Sequence, residues 1–546
     1  MSYSSSDVRR LRTQFWESKQ HIYAHPASLV ASSDDPTALF TVAGMQPLVP
    51  YLSGQPHPSG KRLYNIQRCI RTNDIEEIGD NTHHTMFEMM GNRSLGDYFK
   101  KDSLTRTIEF LTDIVGIPLQ KLGGTVFGGY DDPTNPIPFD HEAKNILIGL
   151  GIPEHAITSV PMIKGKKCDN FWGPAGTIGP CGPCCEIYYD KGDAFGPQDY
   201  DYTNNPRYVE IWNNVFMDSY KNADGTLTPL AHKNIDTGMG FERLITILQN
   251  AKSAYETDLF AGIIQTIETL THTVYYPDAD TPTKKSLRII AEHARSCAFL
   301  AMDGVSPSNE GRGYIMRRLL RRMRFHLLLV AKNQNLDSSH CATELVSAVT
   351  TIYHHHYPHL LETQTATISM RSKERLQFSK TITKGRAVLD HWITKNTDHD
   401  LLPGDFVFQL HDTYGLPPDI SDDILHTMGK RIDREGFDAA KQRAREASKQ
   451  GADKKFGKRV DRAAICANIP KTRFVGYSDY EITNATILKQ TILDDGRMII
   501  ITDITPLYAE SGGQCSDHGK IITDDGQEYT VYDVIKYDGV WIHIVK

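Results

Sequence analysis

The spacing of apolar residues changes twice along the chain, and this change constrains the fold more than any other feature of the sequence. Up to about residue 235, short aromatic and β-branched segments such as Tyr208–Phe216 alternate with turn residues, which is typical of strands. From there to about residue 445, apolar residues recur three and four positions apart, as between Phe241 and Leu248, which indicates helices. Strand-like runs such as Met498–Thr502 return after the Lys/Arg/Gly-rich stretch Ser448–Lys458. The pattern therefore predicts an α+β protein.

The length of 546 residues is enough for about three domains, and the changes of period suggest where they divide. We expect a mixed domain over residues 1–250, a helical domain over residues 251–455 and a small β segment over residues 456–546. Asp-Gly pairs at 495–496, 525–526 and 538–539 predict tight hairpin turns in the last part.

Composition excludes several classes of protein. The 60 Lys and Arg residues are outnumbered by 67 Asp and Glu residues, so a nucleic-acid partner would have to meet a local basic patch. The longest apolar runs are far too short to span a bilayer. Nine cysteines, two of them adjacent at Cys184 and Cys185, do not form the pattern of a secreted disulfide framework. These features predict a cytoplasmic protein.

The string Asn234–Arg243 (NIDTGMGFER) leads from a strand-like segment through two glycines into an amphipathic helix. Glycines at such a junction let the backbone approach a ligand, the start of a helix favours anions, and Arg243 in the first turn is able to hold a phosphate. The string has the outline of a nucleotide site. Taken alone it is equally consistent with an ordinary helix cap.

A second string, Arg68–Asp74, is followed by a polar loop and by His83–Asn92. It predicts two strands joined by a loop, with Arg71 and the acidic residues Asp74 and Glu88 near the strand ends. A guanidinium group bridges two phosphate oxygens in a way that lysine does not match. The alternative interpretation is a ladder of surface salt bridges.

The two strings occur in the order of motifs 2 and 3 of the class II aminoacyl-tRNA synthetases, which they resemble. Seven strings, in the right order, are similar to those of the alanyl-tRNA synthetase family: Thr41–Met45 (TVAGM), His83–Phe99 (HHTMFEMMGNRSLGDYF), Gly179–Cys184 (GPCGPC), Asp236–Arg243 (DTGMGFER), Ser306–Tyr314 (SPSNEGRGY), Asp412–Gly415 (DTYG) and Tyr508–Gln514 (YAESGGQ). The resemblance runs from about Phe15 to the end of the chain.

The resemblance implies a fold and a reaction. The first domain would be the class II catalytic domain, an antiparallel sheet flanked by helices; the second would be a helical tRNA-recognition domain. The last segment, barrel-like in part, would be the start of the editing-domain region. The reaction would be the ATP-dependent attachment of L-alanine to tRNA(Ala), through alanyl-adenylate and then transfer to the tRNA 3′ end. Mg²⁺ is expected with ATP.

Motif positions in the family imply roles for particular residues. Arg71, Asp236 and Arg243 would be the catalytic residues, with Asp236 holding the α-ammonium group of alanine. The residues implied in ATP binding are Arg71, Phe87, Glu88, Gly240 and Arg243. Those implied in alanine binding are Trp172, Asn213, Val215, Asp236 and Gly238.

A basic stripe and two polar residues are the candidates for tRNA contact. At 100° per residue, one side of a predicted helix carries Arg317, Arg318, Arg321, Arg322 and Arg324, while Met316, Leu319, Leu320 and Met323 fall on the other. Such a stripe is often only a solvated face, but five arginines without an interleaved acid favour phosphate contact. The resemblance implies that Asn309 and Asp412 read a G·U pair in the acceptor stem.

Zinc and further partners are the least constrained predictions. Cys181-x-x-Cys184 has half of a zinc-finger spacing, and no second pair follows at the right distance, so zinc is uncertain. The family's editing-site zinc ligands would lie beyond Lys546. We therefore expect editing from a protein acting in trans or from a separate carboxy-terminal fragment, and we expect the chain to be a monomer.

Two other functions are compatible with parts of this pattern. A catalytically inactive tRNA-binding paralogue would act as a regulator, but it would gain nothing from keeping Arg71, Asp236 and Arg243. An unrelated ATP-dependent amino-acid ligase on the same fold would not need Asn309 or Asp412.

Overall fold

The computed structural model describes residues 3–31, 38–132, 136–166, 168–174, 176–331, 338–426, 428–444, 465–476, 479, 481–492, 497–509 and 516–546. These residues form two compact units, residues 1–377 and 378–546, which are described separately. The predicted division at residues 250 and 455 stays a prediction, and the Ser448–Lys458 stretch lies outside the described residues. Across the described ranges, no helix has the length and apolar character that crossing a bilayer requires.

A large, mainly antiparallel sheet organises the first unit. Its strands are β1 (Ile22–Tyr23), β2 (Arg62–Ile70), β3 (Met86–Leu95), β4 (Leu122–Tyr130), β5 (Ile157–Met162), β6 (Phe171–Trp172), β7 (Gly179–Asp190), β8 (Tyr208–Lys221) and β9 (Leu227–Gly240). They lie in the order β1-β2-β3-β9-β8-β7-β4-β5, with β6 paired to β7. Only the outer pairs, β1 with β2 and β4 with β5, are parallel among these strands. This sheet and its helices confirm the predicted α+β class.

Helices cover one face of this sheet, because alternate residues of its central strands are apolar. Met90, Trp212 and Met239 lie side by side in the strand register and are almost fully buried. They belong to the main core, in which Trp16 of the first helix packs edge-on against Trp212 with ring centroids 6.4 Å apart. The opposite face is free of this core and carries the polar residues considered below.

The helices follow the sequence periodicity. They are α1 (Ser5–Ser18), α2 (Val49–Leu52), α3 (Lys100–Glu109), α4 (His141–Gly149), α5 (Phe241–Leu248), α6 (Ala261–Thr271), α7 (Pro282–Met302), α8 (Gly311–Val330), α9 (Ser338–Tyr353), α10 (His359–Lys395), α11 (Gly404–Asp412) and α12 (Pro418–His426). Residues 434–444 are also helical. Helix α1 begins with a capping box between Ser4 and Asp7, and α7 begins at a proline after the capping residue Thr281.

The second unit contains short parallel pairs and a larger antiparallel sheet. The pairs are β10 (Leu401–Leu402) with β11 (Arg431–Ile432), and β12 (Arg473–Phe474) with β15 (Ile504–Thr505). The larger sheet has the order β13-β14-β18-β17-β16, with strands β13 (Ile487–Ile492), β14 (Met498–Thr502), β16 (Gly519–Ile522), β17 (Glu528–Tyr537) and β18 (Val540–Val545).

The Asp-Gly turns of this sheet were predicted from the sequence. Asp538 and Gly539, both with positive φ, join β17 to β18, as a two-residue hairpin with the right-handed strand twist requires. Asp525-Gly526 lies between β16 and β17. The pair at 495–496 lies outside the described residues.

Candidate active site

The face of the large sheet that points away from the main core packs in part against a smaller apolar cluster and brings together residues from three neighbouring strands. Asp236 and Gly238 of β9 lie opposite Val215 and Asn213 of β8, and Gly240 of β9 lies opposite Met89 of β3. Directly paired residues share a face of a sheet, and residues two apart on a strand do so as well. The predicted alanine-binding residues of β8 and β9 are therefore adjacent.

Asp236 is buried at the centre of this face, 5% exposed, and it is not alone there. Arg93 of β3, its partner in the strand register, donates a hydrogen bond from Nε to Asp236 Oδ1 at 2.8 Å. Burial raises the pKa of the Asp236 carboxyl, and the charge and hydrogen bond of Arg93 act in the opposite direction. Sequence reasoning missed Arg93. The available signal was strand alternation, which places it on the same face as Phe87 and Met89.

Arg71 follows the last residue of β2 and lies at the edge of the same face. Its side chain is exposed, its Nε donates to the Val42 backbone oxygen at 3.3 Å, and its guanidinium carbon lies 4.9 Å from the centre of the Phe87 ring. The contact with Phe87 is a cation–π interaction. The structure thus brings two of the residues implied in ATP binding, Arg71 and Phe87, into contact.

The structure does not bring Glu88 to this face. Strand alternation turns Glu88 away from Phe87 and into the core, where it is fully buried. Its carboxylate accepts from Arg9 and from the Tyr357 hydroxyl, and its backbone N–H donates to Glu242. Burial raises the pKa of Glu88, but the charge and hydrogen bond of Arg9, the hydrogen bond of Tyr357 and the charge of Arg295 together bring it below its ordinary value. Glu88 therefore behaves as an internal ion-pair residue.

Helix α5 begins directly after its capping residue, Gly240, and Arg243 lies in its first turn. Its Nη1 donates to Oε2 of Glu210 at 2.9 Å and to the backbone oxygen of Glu210 at 3.0 Å. About a third of each side chain is exposed. This ion pair fixes the Arg243 side chain against the start of β8.

Glu186 of β7 is a second residue that sequence reasoning missed. It lies opposite Asn213, whose Nδ2 donates to Glu186 Oε1 at 3.2 Å, and it accepts from Tyr188 and Thr125 through Oε2. Burial, and then the charge of nearby Glu210, raise the pKa of Glu186 to about 8. A lone acid in the apolar run that follows Cys184-Cys185 was the signal for it.

Trp172 closes one side of the face. It pairs with Gly182 through the short strand β6 and packs against a small apolar cluster that includes Val215 and Cys184. The geometry therefore gives Asp236 a charged neighbour, Arg93, and gives the adjoining space apolar walls. Such an arrangement suits an amino acid with a small side chain, whose α-ammonium group carries a positive charge.

Comparison with known proteins agrees with this geometry. The family model for tRNA synthetases class II (A) matches residues 7–546. The chain belongs to this family.

Among curated class II relatives named as alanine–tRNA ligases, that of Rubrobacter xylanophilus is 37% identical over 533 residues, covering 96% of this chain and 58% of the relative. That of Borrelia garinii is 41% identical over 454 residues, covering 82% of this chain and 73% of the relative. That of Candida albicans is 36% identical over 577 residues, covering 99% of this chain and 58% of the relative. The chain spans 58% to 61% of the length of the first relatives it matches.

The chain of a Staphylococcus aureus histidyl-tRNA synthetase matches with a TM-score of 0.28 at 13% identity, covering 45% of this chain and 66% of that one.

The arginine stripe of α8 is largely paired within the first unit. Arg317 and Arg321 donate to Glu374 at 3.1 and 2.9 Å, and Arg318 pairs with Glu76. Arg322 is 1% exposed and donates to backbone oxygens of the turn at residues 75–76. Phosphate contact by these arginines stays a prediction, and it would require the ion pairs to open.

Asn309 and Asp412 belong to different compact units and are described separately. Asn309 is exposed in the loop before α8, where its side-chain oxygen accepts from Arg317. Asp412 is the exposed last residue of α11. Their predicted contact with tRNA is untested by this geometry.

The adjacent cysteines of β7, Cys184 and Cys185, do not share a ligand set. Cys184 and Cys185 are consecutive strand residues, so their side chains lie on opposite faces and in different apolar clusters. Burial raises the pKa of both thiols well above the ordinary value. Within the ranges that the structure describes, no group of three or more His, Cys, Asp or Glu side chains is placed to hold a metal ion.

Proposed function

We propose that the chain activates L-alanine with ATP to form alanyl-adenylate and transfers the alanyl group to the 3′ end of tRNA(Ala). The observation that carries this proposal is the place of Asp236 in the middle of the sheet, with Arg71 at the edge of the same face and Arg243 in the first turn of the helix that follows β9. Membership of the class II family and similarity to proteins named alanine–tRNA ligases support it. The alternative of a catalytically inactive, tRNA-binding regulator has no support from these observations.

In the first step, the carboxylate of alanine attacks the α-phosphorus of ATP and pyrophosphate leaves. The protein's part is positioning and charge stabilisation, because no covalent intermediate with the protein is needed. Arg71 is exposed and supplies a planar set of donors to the α-phosphate as negative charge builds. Phe87 offers a ring face to adenine, and Arg243 at the start of α5 would hold the outer phosphates or stack on the base.

The alanine pocket would use one charge and a restricted volume. Asp236 would bind the α-ammonium group through a charge-assisted hydrogen bond. Gly238 leaves room next to it, with Met89 Sδ 3.0 Å from the position that a Cβ would occupy. Asn213, Trp172 and Val215 would border the methyl group and exclude larger side chains by volume.

Mg²⁺ accompanying ATP would find suitable donors at Glu186 and Glu210. Their mutual repulsion contributes to the raised pKa of Glu186, and oxygen ligands are those that Mg²⁺ prefers. When bound, the ion neutralises phosphate charge. Arg243, already paired with Glu210, would hold that carboxylate in place.

Transfer to tRNA requires recognition outside the sheet. We propose that Asn309 and Asp412 contact the G·U pair of the acceptor stem, since Asp accepts only and suits the guanine amine whereas Asn both donates and accepts.

The described cysteines are free thiols, in keeping with a reducing compartment such as the cytosol.

The test is alanine-dependent exchange of pyrophosphate into ATP, followed by charging of tRNA(Ala). Exchange and charging together are expected. Absence of exchange would refute the ligase function. Exchange without charging would indicate an ATP-dependent amino-acid ligase with another acceptor.

A further inference from the structure

Arg93 is a fully buried arginine in the middle of the catalytic sheet. Its side chain is 1% exposed, and arginine is almost never buried without partners. Nε donates to Asp236 at 2.8 Å, and Nη1 donates to the side-chain oxygen of Asn65 on β2. One guanidinium group thus connects β2, β3 and β9, and its partner Asp236 lies 143 residues from Arg93 in the sequence.

The space for this guanidinium depends on two glycines. A Cβ added at Gly44 or at Gly91 would come within 3.0 Å of Arg93 Nη2. Nη2 itself is buried and has no hydrogen-bond partner in the described part of the chain. Burying an unsatisfied donor is unfavourable, so stability alone does not explain why an arginine occupies this position.

The charge of Arg93 matters to Asp236. Burial favours the neutral form of a carboxyl, which would have no electrostatic attraction for an ammonium group. Arg93 provides the counter-charge. Other ionisable groups near the pair are Cys69 on β2 and Arg12 on α1, and Arg12 donates to the backbone oxygens of Asn65 and Gly91 from the covered face.

We infer that Arg93 is a positioning residue for amino-acid activation: it holds the Asp236 carboxylate in the orientation that receives the α-ammonium group of alanine. The inference rests on the proposed function. Arg93 is too buried to contact the substrate, so it acts through Asp236. A purely structural brace between strands is the competing explanation.

The variants Arg93→Met and Arg93→Lys separate the two explanations. In pyrophosphate exchange, Arg93→Met is expected to raise KM for alanine roughly tenfold or more while KM for ATP stays within about twofold. The acid limb of alanine activation is expected to move to higher pH, because Asp236 loses the charge that opposes burial. Arg93→Lys is expected to recover part of the loss, since it keeps a positive charge.

An unchanged KM for alanine in folded Arg93→Met would overturn the inference. An equal loss for alanine and ATP would overturn it as well, because a brace alone predicts that result. If Arg93→Met does not fold, Gly44→Ala takes its place, because the added Cβ displaces the Arg93 guanidinium group. A selective rise in KM for alanine then supports the inference. An unchanged KM for alanine refutes it. No exchange by the unmodified protein would instead refute the proposed function itself.

Discussion

Replacing Asp236 by asparagine tests the site most directly, because it removes a charge with little change of shape. The variant loses the charge-assisted bond to the α-ammonium group, which is worth about 1.5–3 kcal/mol. At 1.4 kcal/mol per factor of ten, KM for alanine should rise between about 10-fold and about 150-fold. KM for ATP should change little, because Arg71 and Arg243 supply the contacts to the nucleotide.

The same substitution should also affect stability. Arg93, at 1% exposure, would be left buried without its counter-charge, a loss of about 3–5 kcal/mol when one partner of a buried pair is removed. The control is Asp97→Asn in the loop after β3, which removes an ion pair with Arg62 at 2.5 Å near the surface. That pair is worth at most about 1 kcal/mol.

Pyrophosphate exchange at varied alanine concentration, together with urea denaturation, measures both effects. Asp236→Asn should show a raised KM for alanine and a lower free energy of unfolding, whereas Asp97→Asn should resemble the unmodified protein. Near-normal activation of alanine by a folded Asp236→Asn variant would show that the amino acid binds elsewhere.

Substitutions at Glu186, Arg9 and Asp412 test three other parts of the chain. The pKa of Glu186 is raised to about 8 in the folded protein, from an unfolded value near 4.5. Between these pH values the folded state keeps a proton on Glu186 that the unfolded state has lost. The free energy of unfolding therefore falls as pH rises, by up to about 1.4 kcal/mol per pH unit. Glu186→Gln should therefore raise the melting temperature at pH 8 but not at pH 4, and equal shifts at both pH values would contradict this. Arg9→Met should leave the buried Glu88 carboxylate without its ion pair and lower the free energy of unfolding in urea by about 3–5 kcal/mol. A change below about 1 kcal/mol would show that Glu88 becomes neutral at no cost. Asp412→Ala should leave pyrophosphate exchange unchanged and weaken charging of G·U-bearing tRNA by about 1–3 kcal/mol, and loss of both activities would indicate a role in folding.

Much of the site was predictable because its residues lie in local patterns. The two glycines before α5 and the strand-like run through Asp236 indicated where β9 ends and a helix begins. The resemblance implied that Asn213 and Val215 belong to one pocket, and alternation along β8 puts them on the same face. Motif order, read as family resemblance, supplied the expected chemistry.

The sequence does not show which way a side chain points or which distant residue pairs with it. Glu88 has the right residue type beside Phe87, yet alternation along β3 directs it into the core, to Arg9 and Tyr357. The arginine stripe of α8 has a periodicity that fits an exposed face, yet Glu374 and Glu76 neutralise much of it. Those acids lie more than 50 residues away in sequence, so no local pattern reveals them.

Local sequence thus specified the secondary structure and the kinds of reactive group, because propensity and periodicity act over a few residues. The environment of each group was decided only when distant strands paired. Asp236 meets Arg93 because β3 and β9 adopt one register among many, and burial of that pair then determines its charge and its orientation.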